Sequence, residues 1–481
     1  MLQIGRNIFS LVFSRIIAGI ILFLIFARLA QYLGPELAGQ YGLLTGFLAV
    51  FSIFVDLGMS QLVIKKVSED KTQAGKYLSN YFIIQFLLGV IFMTIMAGFV
   101  YFSNYPDIVK NSLYVTSFGL LLTSLALPFR SIINSYQKLT YIARVNFANS
   151  VINGVFMVLA IIFRQSIFFL AFISVAVGLF DFLVYWYVSH TKFTKFKFEF
   201  DKQFAKKLII WTMPFTLLTA FSIYNRVDTL MLPSLRSFQE TGYYAAAYKF
   251  WDVLAFFPAV IGISLYPFYA ESLAKNLKEQ VSKMLETYTR YMIAIGVPMA
   301  IGTFLVATPL ILIFFGEDFL PAASALWLLV LAVSILFIYS PANSLVISQQ
   351  TKAATKITGF TLLFNVVTNL IFIPKFGIAA AAATTVASEV IQAVSYSYII
   401  KTRIVPFRFF RHFIKPLISG AIMAAAILVL KPVVSIWIVI GVGAVAYILA
   451  MLLLKFFHRE DWELMKAAID VRKKVDTGGG V

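Results

Sequence analysis

Ten charged side chains interrupt the long apolar runs of this 481-residue sequence. Five are cations, Arg15, Arg28, Arg130, Arg226 and Lys249, and five are anions, Asp56, Asp181, Asp228, Asp252 and Glu389. A charge at the centre of a bilayer costs about 2.5–3.5 kcal/mol on insertion scales, so such residues face a bundle interior or a wet cavity and are functional candidates. Cations there can hold an anion, and carboxylates at that depth can exchange protons or bind Na⁺. The two sets sum to zero, so charge alone does not establish an anion site.

Spacing sorts these residues. Lys249 and Asp252 are three apart, about 300° around a helix, and share a face. They pair, or Lys249 turns to a substrate. Arg226 and Asp228 are two apart, about 200°, and point to opposed faces of one helix. Arg226 therefore needs a carboxylate from another span, or the substrate. Arg15 and Arg28 are separated by about 220°, so a straight helix does not present both to one cavity. A bend at Gly19 would change that; alternatively Arg28 snorkels to the outer interface. Tyr224, Asn225, Tyr243, Tyr244, Tyr248, Asn365 and Asn369 are candidates for polar recognition. Asn365 and Asn369 share a face and equally suit helix–helix hydrogen bonding. Asp181 and Glu389 occupy comparable mid-span places and suit ion coupling or charge neutralisation, as do Asp228 and Asp252.

The chemistry that is absent is equally informative. Cysteine is missing, so no disulfide, thiolate metal site or cysteine nucleophile exists. The sequence holds no Gly-x4-Gly-Lys-Ser/Thr phosphate loop, no His-Glu-x-x-His and no Gly-x-Ser-x-Gly. The three histidines, His190, His412 and His458, fall at span edges. The expectation is a non-enzyme with no catalytic residue, no metal and no cofactor beyond a coupling H⁺ or Na⁺.

The elements that must position these residues are membrane helices. Hydrophobic residues make up 60% of the chain and charged ones 13%, half the share of soluble domains, which excludes a soluble or disordered protein. Apolar blocks predict fourteen spans: 7–31, 38–63, 78–103, 111–134, 144–163, 166–189, 208–232, 240–269, 288–315, 322–347, 357–374, 377–400, 414–431 and 434–457. With the N-terminus in the cytoplasm, 30 Lys and Arg fall in inside segments and 5 in outside ones. One missed helix would invert the later loops and destroy that ratio. Both termini are thus expected in the cytoplasm, and the +18 net charge is explained without nucleic acid. The predicted organisation is all-α: a six-helix half at 1–189, a basic linker at 190–207, a second six-helix half at 208–400, added helices at 401–457 and a tail at 458–481. In the linker, alternating Phe and Lys suit either the lipid headgroup layer or a solvated connection.

Gly39-Gln40-Tyr41 and Gly242-Tyr243-Tyr244 open spans two and eight, a weak echo of the repeated halves from which many transporters are built. Three stretches near the N-terminus are distinctive: Leu33-Gly34-Pro35-Glu36, Gly39-Gln40-Tyr41-Gly42 and Val55-Asp56-Leu57-Gly58-Met59-Ser60. With Tyr224 to Leu232, Gly242 to Tyr248, Phe315-Gly316-Glu317-Asp318-Phe319 and Ile373 to Ala380, in order and across almost the whole chain, they resemble the Wzx-type polysaccharide and O-antigen flippases. These belong to the multidrug/oligosaccharidyl-lipid/polysaccharide exporter superfamily. Departures are the alanine run from Ala379 to Ala383 and Leu232-Pro233-Ser234, where a glycine is expected.

The resemblance implies translocation of undecaprenyl-pyrophosphate-linked oligosaccharide across a prokaryotic cytoplasmic membrane by alternating access, coupled to an ion gradient, in capsule or O-antigen synthesis. Implied partners are that lipid, the surrounding membrane lipids, and glycan polymerase and chain-length proteins. Arginine suits a pyrophosphate because its planar fork gives bidentate, permanently charged bonds. Arg15, Arg28, Arg130, Arg226 and Lys249, with Tyr224, Asn225 and Tyr248, are then the substrate-binding candidates. Competing readings are a lipid II flippase, a cation or multidrug antiporter of the same superfamily, and a membrane glycan polymerase or ligase. The last would need a sizeable outer loop, and every predicted outer loop is short.

Overall fold

The computed structural model describes residues 2–221, 226–407, 412–457 and 461, with side chains from residue 19 onward except at 214, 215, 217–220, 259, 260, 263, 264 and 267. Among the described residues there is no strand. Fifteen α-helices follow in chain order. The first group is α1 (Leu2–Asp56), α2 (Met59–Glu69), α3 (Ala74–Phe102), α4 (Asp107–Ser135), α5 (Leu139–Ile162) and α6 (Ile167–Lys192). The second is α7 (Lys202–Phe221), α8 (Val227–Leu235), α9 (Phe238–Leu254), α10 (Phe256–Ala274), α11 (Lys278–Phe315), α12 (Ala322–Gln349) and α13 (Thr351–Arg403). A pair, α14 (Ile414–Leu430) and α15 (Ile436–Leu453), ends the described chain.

Nine of the described helices are long and apolar enough to cross a membrane. The expected fourteen spans do not map one to one onto them, for two reasons. First, α1 and α13 are hairpins. Gly34 (φ 73°) and Gly377 (φ 58°) take backbone angles that L side chains avoid, and each helix folds back there. In α13 the arms are stitched by Asn365 to Ser388 at 3.1 Å and Thr358 to Tyr396 at 3.4 Å, pairs centred on Gly377. Second, the expected spans 208–232 and 240–269 are broken. The former is split between α7 and α8, and the latter stops at Ala255, where Pro258 in the first turn of α10 cannot continue the preceding ladder. The expectation that Arg226 and Asp228 share one helix is corrected accordingly, because Arg226 precedes α8 with non-helical angles (φ −133°, ψ −10°). The bend at Gly19 is not made, since α1 is helical until Gly34.

Large apolar side chains such as Leu87, Ile91, Val155, Leu428 and Val445 stand exposed on the outer faces, as lipid-facing surfaces require. The buried apolar residues divide by depth. At the end of the bundle poor in lysine, one core joins both halves, including Phe26, Leu44 and Leu170 from the first and Tyr248, Phe315 and Ala381 from the second. At the lysine-rich end two cores are separate. One holds Met59, Tyr81, Phe129 and Tyr185 of the first half, and the other Leu265, Tyr269, Tyr339 and Tyr396 of the second.

The joined end is closed backbone to backbone. A Cβ on Gly39 would lie 1.8 Å from the Phe238 carbonyl oxygen, and one on Gly242 would lie 1.8 Å from that of Pro35. Small residues at such crossings let helices approach where lipid provides no hydrophobic drive. The two motifs that echo each other in sequence are therefore the two sides of one seam.

The segment linking the halves is held to the first half. Asp201 pairs with Lys76 at 2.9 Å, Asn80 accepts from the Asp201 amide at 2.9 Å, and Ser79 donates to the Lys197 carbonyl at 2.5 Å. Phe196 packs among Phe82 and Phe129, while Phe198 and Phe200 are exposed. Half of the alternating pattern is thus a docking face rather than solvated chain. The final helix pair packs on α11, where Arg290 meets Asp461 at 2.6 Å in a buried ion pair and the Tyr291 hydroxyl also donates to Asp461. Of the expected tail 458–481, only Asp461 lies within the described residues.

Candidate functional site

The break before α8 and the helix α9 together build a cationic cluster. Arg226 sits at the break, as interrupted helices do in transporters that bind at mid-membrane. Its Nη2 donates to Asp252 Oδ1 at 2.5 Å, and its guanidinium lies 4.6 Å from the centroid of the Tyr248 ring. Lys249, one turn from Asp252 on α9, places Nζ 3.7 Å from the other carboxylate oxygen. The same Nζ lies 4.6 Å over the ring of Phe26. Phe26 belongs to the first half and Lys249 to the second, so the cluster lies at the contact between halves. About a third of each charged side chain is exposed, which leaves the group accessible to water and to a ligand.

Asp252 thus gives one oxygen to each of two cations. Such an arrangement can open: an incoming anion with more oxygens can replace the carboxylate on Arg226 and Lys249. Both cations also stack on rings, which fixes the guanidinium and ammonium without consuming all their donors.

Behind this cluster lie two fully buried carboxylates. Asp228 accepts from the Thr229 amide at 2.7 Å, from Thr385 Oγ1 at 3.3 Å and from the Tyr244 hydroxyl. Among the described residues it forms no ion pair within 4 Å. Glu389 accepts from the Tyr339 hydroxyl at 2.6 Å. Beside it, Asn365 donates to Ser388 at 3.1 Å, and Asn369 donates to Asn365 at 2.9 Å. Arg226, Asp228, Asp252 and Glu389 all lie within electrostatic reach of Tyr248.

The structure brings together Arg226, Lys249, Asp252, Tyr248, Asp228 and Glu389. Other candidates lie elsewhere. Arg28 is exposed near the joined end and donates to Gln31 at 2.9 Å, which in turn donates to the Phe314 carbonyl. Arg130 lines a separate cavity on α4. Asp181 accepts from Asn149 at 2.9 Å within the first half and lies near Arg130. Tyr224, Asn225 and the side chain of Arg15 lie outside the described residues. Thr385 was legible yet missed: it stands one turn before Glu389, on the same face. Tyr339 carried no signal within its apolar span.

Comparisons with known proteins bear on this geometry. A family model described as "Polysaccharide biosynthesis protein" matches residues 4–273, and a second, MatE, matches residues 214–371. The chain is 21% identical to the capsular polysaccharide biosynthesis protein CapF of Staphylococcus aureus, covering 82% of this chain and 99% of that protein. It is 20% identical to the probable low-salt glycan biosynthesis flippase Agl15 of Haloferax volcanii, covering 82% and 83%. The fold is similar to that of lipid II flippase MurJ in its inward closed conformation, with a TM-score of 0.75 at 18% identity over 93% of this chain and 98% of that one.

Proposed function

We propose a function from this premise: the chain belongs to the polysaccharide biosynthesis protein family, within the multidrug/oligosaccharidyl-lipid/polysaccharide exporter superfamily. It is a flippase, and its cargo is a polyprenyl-pyrophosphate-linked oligosaccharide carried across the cytoplasmic membrane of a prokaryote. The observation that carries this reading is the Arg226–Asp252–Lys249 group, set between halves that share one core at the lysine-poor end and have two at the other. The positive-inside rule assigns the lysine-rich end to the cytoplasm, so the end with two separate cores faces the side where lipid-linked glycans are assembled.

The physical sequence follows from the charges. A diphosphate head cannot cross hydrocarbon unaided, whereas its isoprenoid tail can remain in lipid. Entering from the cytoplasmic side, the head displaces Asp252 and takes bidentate bonds from Arg226. Closing the lysine-rich ends and parting the glycine seam then presents the same cluster to the other side, which is alternating access about a fixed site. Release needs Asp252 to recover its cations. Asp228 is the favoured coupling group, because its hydroxyl and amide donors suit a carboxylate that exchanges H⁺ or Na⁺.

The test is a strain lacking this protein, examined for the lipid-linked glycan held on the inner leaflet. The wild-type gene is expected to clear that pool and Arg226→Ala is not. Full clearance by the alanine variant at equal expression contradicts the reading.

A further inference from the structure

The break between α1 and α2, at Leu57 (φ 49°) and Gly58 (φ 72°), borders a cavity of about 450 Å³ whose other wall is α4. Its chemistry differs from that of the cation cluster. Asp56 receives three hydrogen bonds, all on Oδ1: from the Ser60 amide at 3.2 Å, the Ser60 hydroxyl at 2.5 Å and the Tyr81 hydroxyl at 2.7 Å. Oδ2 accepts none. Across the cavity, Arg130 makes no hydrogen bond or ion pair among the described residues, and the side chains of Ser131 and Asn134 have no partner either. Ser131 is only 2% exposed, and it lines the cavity.

One carboxylate oxygen, one guanidinium, one hydroxyl and one amide therefore line the same space with bonding capacity unused. The charges cancel. A multiply charged phosphate would meet the open oxygen of Asp56, and a metal cation would meet Arg130. A neutral ligand rich in hydroxyls satisfies every group, because each hydroxyl both donates and accepts. Val55 and Leu127 supply the apolar wall on which the C–H face of a ring can lie. The volume is within the range of small-ligand sites, about 300–1,000 Å³. A second cavity of about 310 Å³ shares Ser52 and Thr123 with it, giving room for a further ring.

We infer that this cavity in the first half binds sugar rings of the cargo, while the cluster around Arg226 holds its diphosphate. The inference rests on the flippase reading above and deepens it, since it assigns glycan recognition to α1, α2 and α4.

The test uses purified full-length protein in lipid nanodiscs and four probes: a short-chain polyprenyl pyrophosphate, bare or carrying one hexose, one N-acetylhexosamine or one hexuronic acid. Wild type is expected to bind at least one glycosylated probe more tightly than the bare one. Ser131→Ala with Asn134→Ala removes groups that bond to nothing in the protein, so folding is spared. That variant is expected to lose about tenfold in affinity for the preferred glycosylated probe, as two modest hydrogen bonds would give. Affinity for the bare probe should stay the same, which also certifies the fold. Equal loss on both probes, no loss, or no glycosylated probe preferred by wild type overturns the inference. Arg226→Ala should weaken all four probes alike. If it weakens none, the diphosphate assignment fails, and the sugar site is still judged by the glycosylated-to-bare ratio.

Discussion

Arg226 and Asp252 are 26 positions apart, and the break at Arg226 with the turn between α8 and α9 brings them to 2.5 Å. Spacing on an ideal helix identified that Arg226 lacked a neighbour of its own and that Lys249 could reach Asp252. It could not identify the break and the turn that deliver Asp252 to both. For the same reason Asp228 could be flagged as a buried carboxylate but not given Tyr244 and Thr385 as donors. Two outcomes follow at this scale. Arg226→Ala should lower flipping by about 10- to 100-fold, the value of charge-assisted hydrogen bonds of about 1.5–3 kcal/mol, measured as glycolipid exposed on the outer leaflet. Asp228→Asn keeps the shape and removes the ionisable oxygen. In proteoliposomes it should leave cargo binding within about twofold, a small fraction of a kcal/mol, and abolish the acceleration produced by an imposed H⁺ or Na⁺ gradient. Acceleration that persists in the variant would move coupling to another carboxylate.

Helices are where sequence and structure agree best. Gly34-Pro35 and Pro374 to Gly377 were readable as stops, and both prove to be hairpin turns, because positive φ and a missing amide act locally. The linker was less readable. Its Phe/Lys alternation fits a membrane surface or a docking strip equally, and only tertiary contact distinguishes them. Lys76 beside Asp201 holds that carboxyl below the ordinary carboxylate range. A depressed carboxyl stabilises the docked linker above its unfolded value and loses that contribution as pH falls through the folded one. Protease cleavage within 193–201 should therefore be constant near neutrality and rise only when acidity passes below the usual carboxylate range, about pH 4. At the other end of the chain, Asp461→Ala leaves Arg290 buried without its partner. Such a loss costs about 3–5 kcal/mol, and it should appear as a lower unfolding temperature in detergent. An unchanged temperature would mean that apolar packing on α11, with the bonds from Lys431 and Tyr447 to the Leu305 and Ala294 carbonyls, holds the final helix pair without it.

At the scale of the whole molecule, charge asymmetry was the strongest sequence signal, since it counts every loop at once. The conformational state was invisible to it. The halves share one core at the lysine-poor end and keep two separate cores at the other, a division that no local pattern encodes. Spin labels at Lys138 and Lys352, both exposed at lysine-rich ends of opposite halves, should give a long distance in the resting protein. A second, shorter distance population should emerge when cargo and an ion gradient are supplied. A single distance under all conditions would contradict rocking of the halves.

The glycine crossing between Pro35 and Gly242 has a mechanical meaning. Main chain resting on main chain is a hard stop set by van der Waals contact. A lone methyl group added on either helix of that crossing becomes a wedge, and the outer door stands ajar however well the cargo is gripped within.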